Sequence, residues 1–107
     1  MNIRYTDSVR QWGEGYTLAQ QATTRLADIL GPSPGPVTGE WDRAEDDKGC
    51  ALLTLRLKDS TAEVLGTFAP DELRSSAQTA FRLHRLWGEL LHARNVKHLE
   101  ALTTAED

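Results

Sequence analysis

The sequence predicts a two-layer α+β domain in the order helix, three-stranded antiparallel meander, long helix and short terminal helix. Three observations carry this reading. Val9, Trp12, Tyr16, Ala19, Thr23, Leu26 and Leu30 recur at alternating spacings of three and four, which lays them along one face of a helix. Ala51 to Phe68 alternates apolar and polar residues on either side of Lys58-Asp59-Ser60-Thr61, the pattern of two half-buried strands joined by a turn. Ala77, Ala80, Phe81, Leu83, Leu86, Trp87, Leu90 and Leu91 then return at helical spacing.

The first helix is expected over about Ser8–Leu30. Ser8 with Gln11 has the spacing of a capping box, and Asp7 adds negative charge at the helix start. Gly13 and Gly15 each cost about 1 kcal/mol relative to Ala in a helix interior. The firm helix therefore begins nearer Glu14 or Tyr16, with Trp12 packing from a looser turn. Gly31-Pro32 stops the helix, and Gly31 to Pro36 forms a short stiff connector. Val37 to Arg43 reads as the first strand, with Val37 and Trp41 on one face and Gly39 weakening it.

The hairpin carries its own consistency test. Folded about Asp59-Ser60, Leu57 faces Ala62, Leu55 faces Val64 and Ala51 faces Phe68, while Arg56 falls opposite Glu63 on the outer face. A one-residue slip would destroy the apolar and the charge pairing together. After it, Pro70 suits a first helical position with Asp71 and Glu72 in the first turn. Ser75 and Gln78 offer a capping box for the long helix. The apolar residues from Ala77 to Leu91 spread over roughly 220° of that helix, more than the ~100° stripe that a single sheet covers. The excess needs the first helix or a second chain against it. Arg94 would enter the same arc, so a break is expected near Ala93-Arg94-Asn95, followed by a short helix carrying Val96, Leu99 and Leu102 and a frayed end from Thr103.

At 107 residues the chain suits a single domain able to close one core without disulfides. Apolar residues at 39% and charged residues at 26% are ordinary for a globular protein. One cysteine, Cys50, cannot form an intramolecular disulfide and reads as an inert, partly buried thiol at a strand start. No apolar leader opens the chain and no run approaches the roughly 18 apolar residues of a membrane span, so the expected location is the cytoplasm. The net charge of −4 argues against nucleic acid as the main partner, but its distribution is uneven. Residues 1–73 hold seven Lys/Arg against twelve Asp/Glu, whereas residues 74–99 hold five against Glu89 alone.

Motifs that carry chemistry are sparse. His84, His92 and His98 are separated by eight and six, not by the three or four that align two imidazoles on a helix. Glu89 and His92 form one i, i+3 pair, where a carboxylate-bridged di-metal bundle needs two such pairs and two further carboxylates. His84 reads as a boundary residue of the apolar face, and His92 and His98 as exposed. Glu45, Asp46 and Asp47 lack the twelve-residue alternation of a calcium loop. Glu40 and Asp42 share a strand face with no histidine or nucleophile to complete a site. No phosphate-binding glycine loop or nucleophile elbow is present. The expectation is therefore no metal, no cofactor and no catalytic centre. Arg82, Arg85, Arg94 and Lys97 are the candidate phosphate-contacting residues, with Arg85 partly neutralised by Glu89 at i, i+4. Trp12 and Trp87 each sit in Arg-x-Trp-Gly-Glu and, like Trp41, read as core or interface anchors.

In topology, helix–three strands–helix is similar to the YbaB/EbfC family of nucleoid-associated proteins, which are small dimers. Val37-Thr38-Gly39-Glu40 at the first strand is the local likeness, while the second strand lacks a glycine-rich opening and the hairpin turn is Asp59-Ser60. The resemblance implies a nucleic-acid-binding dimer. The residues themselves favour a non-enzymatic protein-interaction module, homodimeric through Leu83, Leu86, Trp87, Leu90 and Leu91, with nucleic acid as the alternative partner and an enzyme assembled across a dimer as the third. Leu52 and Leu65, on the outer sheet face, would add to a partner surface or stand as isolated surface leucines.

Overall fold

The computed structural model describes residues 2–31 and 37–106, with side chains to Glu100. The connector Pro32–Pro36 lies outside them. The elements are β1 (Asn2–Tyr5), α1 (Asp7–Arg10), α2 (Gly13–Leu30), β2 (Thr38–Glu45), β3 (Ala51–Lys58), β4 (Glu63–Phe68), α3 (Pro70–Arg74) and α4 (Ser76–Glu106). The strands form one mixed sheet in the order β1-β2-β3-β4. The α+β class stands, but the three-stranded meander is corrected to four strands, because Asn2–Tyr5 pairs parallel to β2. Hydrogen bonds from Asn2 N to Val37 O (3.0 Å) and from Thr6 N to Trp41 O (3.1 Å) bracket the added strand.

The expected single first helix is two. After α1, Gln11-Trp12 turns the chain and α2 starts at Gly13. Thr6 is the N-cap of α1, not Ser8, and it makes no side-chain cap bond; its hydroxyl donates to Asp42 Oδ1 instead (2.8 Å). Gly15 is buried because the Trp12 ring lies where a Cβ would be. The end of α2 follows the sequence: Gly31 has φ +79°, a left-handed conformation that glycine adopts without penalty, and its N–H closes onto Ala27 O (3.1 Å).

Both helical layers cover one face of the sheet. Val9, Ala19, Ala22 and Leu26 from the first layer meet Trp41, Leu53, Leu55, Leu57 and Phe68 from the strands, and Leu83, Leu86 and Leu90 from α4 complete the core. At its margin the half-buried Thr23 hydroxyl accepts from Trp41 Nε1 (2.9 Å) and Tyr5 Oη (3.1 Å) and donates to Ala19 O (2.8 Å). The buried indole of Trp41 and the half-buried phenol of Tyr5 thus have their polar atoms satisfied.

The opposite sheet face is uncovered. Its central row, in register, is Arg4, Glu40, Arg56 and Leu65, so charges alternate from strand to strand. The hairpin faces are those the alternation predicts, but the register is corrected by two residues: Leu57 pairs with Val64, Leu55 with Gly66 and Leu53 with Phe68. A two-residue shift keeps every side chain on its face. It also turns Arg56–Glu63 from a directly opposed pair into a diagonal one, with Nε–Oε1 at 2.9 Å.

α4 is unbroken from Ser76 to Glu106, so neither the break at Ala93–Asn95 nor a separate terminal helix exists, and its backbone stays helical beyond Thr103. Ser75 Oγ caps it, accepting from Gln78 N at 3.3 Å. α3 has Pro70 in its first turn, and Glu72 Oε1 accepts from Ala69 N (3.1 Å). Among the described residues no helix is long and apolar enough to cross a membrane.

Three substitutions test this packing by urea unfolding. Thr23→Val strands the Trp41 and Tyr5 donors and should cost about 1–3 kcal/mol. Gly15→Ala should destabilise by about 1 kcal/mol, overpacking against Trp12 exceeding the gain in helix propensity. Gly88→Ala, with nothing within 4 Å of the new methyl, should stabilise by about 1 kcal/mol.

Candidate interaction surfaces

The basic residues of α4 do not share one surface. At about 100° per residue, Arg82, Arg85, Arg94 and Lys97 spread over roughly half the helix circumference. Arg82 turns toward β4. It pairs with Glu72, donates from Nη2 to Thr67 O (2.7 Å) and lies 4.9 Å over the Phe68 ring. Arg85 is exposed and loosely paired with Glu89 at 3.7 Å. Lys97 is exposed near the far end of the helix. Arg94 turns inward.

Arg94 enters the apolar arc of a continuous helix, against the expected break there, and its partner explains how. Its Nε and Nη2 donate to Asp59 Oδ2 at 2.6 and 2.5 Å, and its guanidinium stands 6.0 Å from the Trp87 ring. Asp59 is buried in the hairpin turn, where its Oδ1 accepts from Thr61 N and Ala62 N, both at 2.7 Å. Burial by itself pushes the Asp59 carboxyl up. The N–H groups of Ala62 and Thr61, together with Arg94, overcome that and hold it below its ordinary value.

The apolar candidates sort in the same way. Leu83, Leu86 and Leu90 are buried within the chain, packed on the sheet and α2, and Trp87 and Leu91 are half-buried. The first of the two possible covers, the N-terminal helical layer, thus takes much of the wide apolar arc. What α4 leaves to solvent is Phe81 (66% exposed), Leu99 (63%) and Val96 (39%). Phe81 and Leu99 are five turns apart on one stripe, facing away from the sheet. From Asn95 to Glu100 every residue is exposed, so the helix runs on beyond the body of the domain.

Other candidates occupy plain surface positions. His84 is exposed rather than at the apolar boundary, as are His92 and His98, and Cys50 is exposed rather than partly buried. Asp46 Oδ1 accepts from Lys48 N (2.8 Å) and Cys50 N (2.9 Å), which makes the acidic loop a self-bonded turn with Gly49 at φ +79°. No group of three or more His, Cys, Asp or Glu is placed to hold a metal among the described residues. Leu52 is half-buried and Leu65 is 56% exposed on the outer sheet face. Sequence reasoning missed Asp59 and Glu72, whose partners lie 35 and 10 residues away and leave no local spacing signal.

Asp59→Asn tests the inward pair. A carboxylate held below its ordinary value stabilises the fold fully above the unfolded value of about 4 and loses that contribution as pH falls through its lower folded value. At pH 7 the substitution should cost about 1–3 kcal/mol, and below about pH 4 the gap to the unsubstituted protein should narrow. Urea titrations from pH 7 to pH 2.5 measure both.

Comparison of the chain with protein-family models, with curated proteins and with solved structures finds no match.

Proposed function

We propose that the chain is a non-enzymatic protein-interaction module that acts as a homodimer and presents the outward stripe of α4 to a partner protein. The exposure of Phe81 and Leu99 on one face of a helix that outruns its domain carries this reading. An aromatic residue exposed on a rigid helix makes an effective anchor in a partner's groove, and Phe81 is 66% exposed. The polar residues between them, Arg85 and His92, supply the rim. Arg82 and Arg94, held by Glu72 and Asp59, are not offered to phosphate, which weighs against the nucleic-acid alternative.

Light scattering over a concentration series tests the assembly: the expected mass is twice 11.9 kDa, and a monomer throughout would refute the homodimer. For the stripe, a Phe81→Glu/Leu99→Glu variant should keep its circular dichroism and its mass. It should no longer retain a protein that the unsubstituted chain captures; equal capture by both would remove the stripe from the proposal.

A further inference from the structure

The edge strand β4 carries an unassigned surface. Asp59 N donates to Ala62 O at 3.0 Å, which makes 59–62 a hydrogen-bonded pair of the antiparallel hairpin. Pairs then alternate, so Leu57–Val64, Leu55–Gly66 and Leu53–Phe68 exchange the ladder bonds. Glu63, Leu65 and Thr67 consequently turn their N–H and C=O groups away from β3, toward the free edge. The bond from Arg82 Nη2 to Thr67 O agrees with that orientation, and it leaves the second lone pair of the carbonyl open. Edges left unpaired in natural sheets are usually blunted by charged side chains, Pro, a bulge or a covering element; here Glu63 at the start of β4 is engaged by Arg56, and Arg82 reaches only the Thr67 end. β4 has no Pro or Lys, and it puts Leu65, 56% exposed, at the centre of its edge.

We infer that β4 pairs antiparallel with β4 of a second copy of this chain, about a two-fold axis at Leu65, to give a continuous eight-stranded sheet. The inference rests on the homodimer reading above and locates its interface. An isologous contact must be self-complementary, and both sides of this seam are. On the outer face the axis sets Leu65 against Leu65 of the copy, and Glu63 against Thr67. On the inner face, α4 lies beside β4 with Leu86 over Gly66, and the cleft between them is lined by Arg82, Arg85 and Glu89. The same axis runs the two α4 helices antiparallel, so that Arg85 of one copy meets Glu89 of the other. Within one chain these two are only loosely paired and more than half exposed, which leaves both charges available to exchange partners. A second copy supplies that matching charge order without any further assumption.

The test combines Leu65→Pro with a charge swap, read by light scattering and circular dichroism. Leu65→Pro removes the N–H at the axis, a group β3 does not use. It should give a folded monomer of 11.9 kDa where the unsubstituted chain is a dimer. Glu89→Arg should weaken dimerisation at least tenfold, and Arg85→Glu/Glu89→Arg should restore it; this pair of variants decides the matter if Leu65→Pro does not fold. A dimer unchanged by Leu65→Pro and by Glu89→Arg would overturn the β4 interface and leave the homodimer standing. An unsubstituted chain that is monomeric at all concentrations would overturn both.

Discussion

Asp59 holds the hairpin turn with one carboxylate oxygen and the long helix with the other. Its Oδ1 gathers the N–H groups of Thr61 and Ala62, which fixes the turn that sets the β3–β4 register. Its Oδ2 takes Arg94, which lets a charged side chain stand on the inward flank of α4 without ending the helix. A buried carboxylate with every acceptor position used is costly to disturb, since the loss of one partner leaves charge without water or protein to solvate it. The turn and the continuity of α4 are therefore one constraint rather than two.

That constraint explains why two sequence expectations fail together. Pattern reasoning identifies which face each hairpin residue takes, because the period of two is local, and Leu53, Leu55, Leu57 and Phe68 are all buried. It does not distinguish registers that differ by two, since both keep the faces and both allow Arg56 to reach Glu63. The distinction lies in the side chain of Asp59, which reads in sequence only as a turn residue. Arg94 is the other half of the same omission: on a helical wheel it is a charge in an apolar arc, and only a partner 35 residues away makes it acceptable.

β1 was illegible for a different reason. Asn2 to Tyr5 alternates correctly, with Ile3 and Tyr5 inward, but four residues are too few to separate a strand from chance. Its stability comes from context: the groove beside β2 is edged by Gly39, and Ile3 occupies the space a side chain there would fill. The glycine that weakened the β2 reading is thus what admits β1. The candidate surface was half legible in the same sense. The spacing of α4 identified an apolar arc too wide for one sheet, and the fold divides it. Leu83, Leu86 and Leu90 go to the core, and Phe81 and Leu99 to solvent.

The distribution of charge then limits where this molecule can meet another. The uncovered sheet face runs Arg4, Glu40, Arg56 in register, so each charge already has an opposite neighbour and an apolar partner would have to desolvate all of them. The N-terminal edge is four residues long and backed by the turn into α1. The interior holds no unsatisfied polar side chain among the described residues to draw a ligand in. What remains are the β4 edge, with its outward backbone groups and Leu65, and the outward stripe of α4. Arg85 borders both, on the flank of α4 that faces β4, while Phe81 and Leu99 point away from the sheet. A dimer closed along β4 would present both Phe81–Leu99 stripes, and a partner with repeated binding segments would then gain affinity from the second contact without any new chemistry.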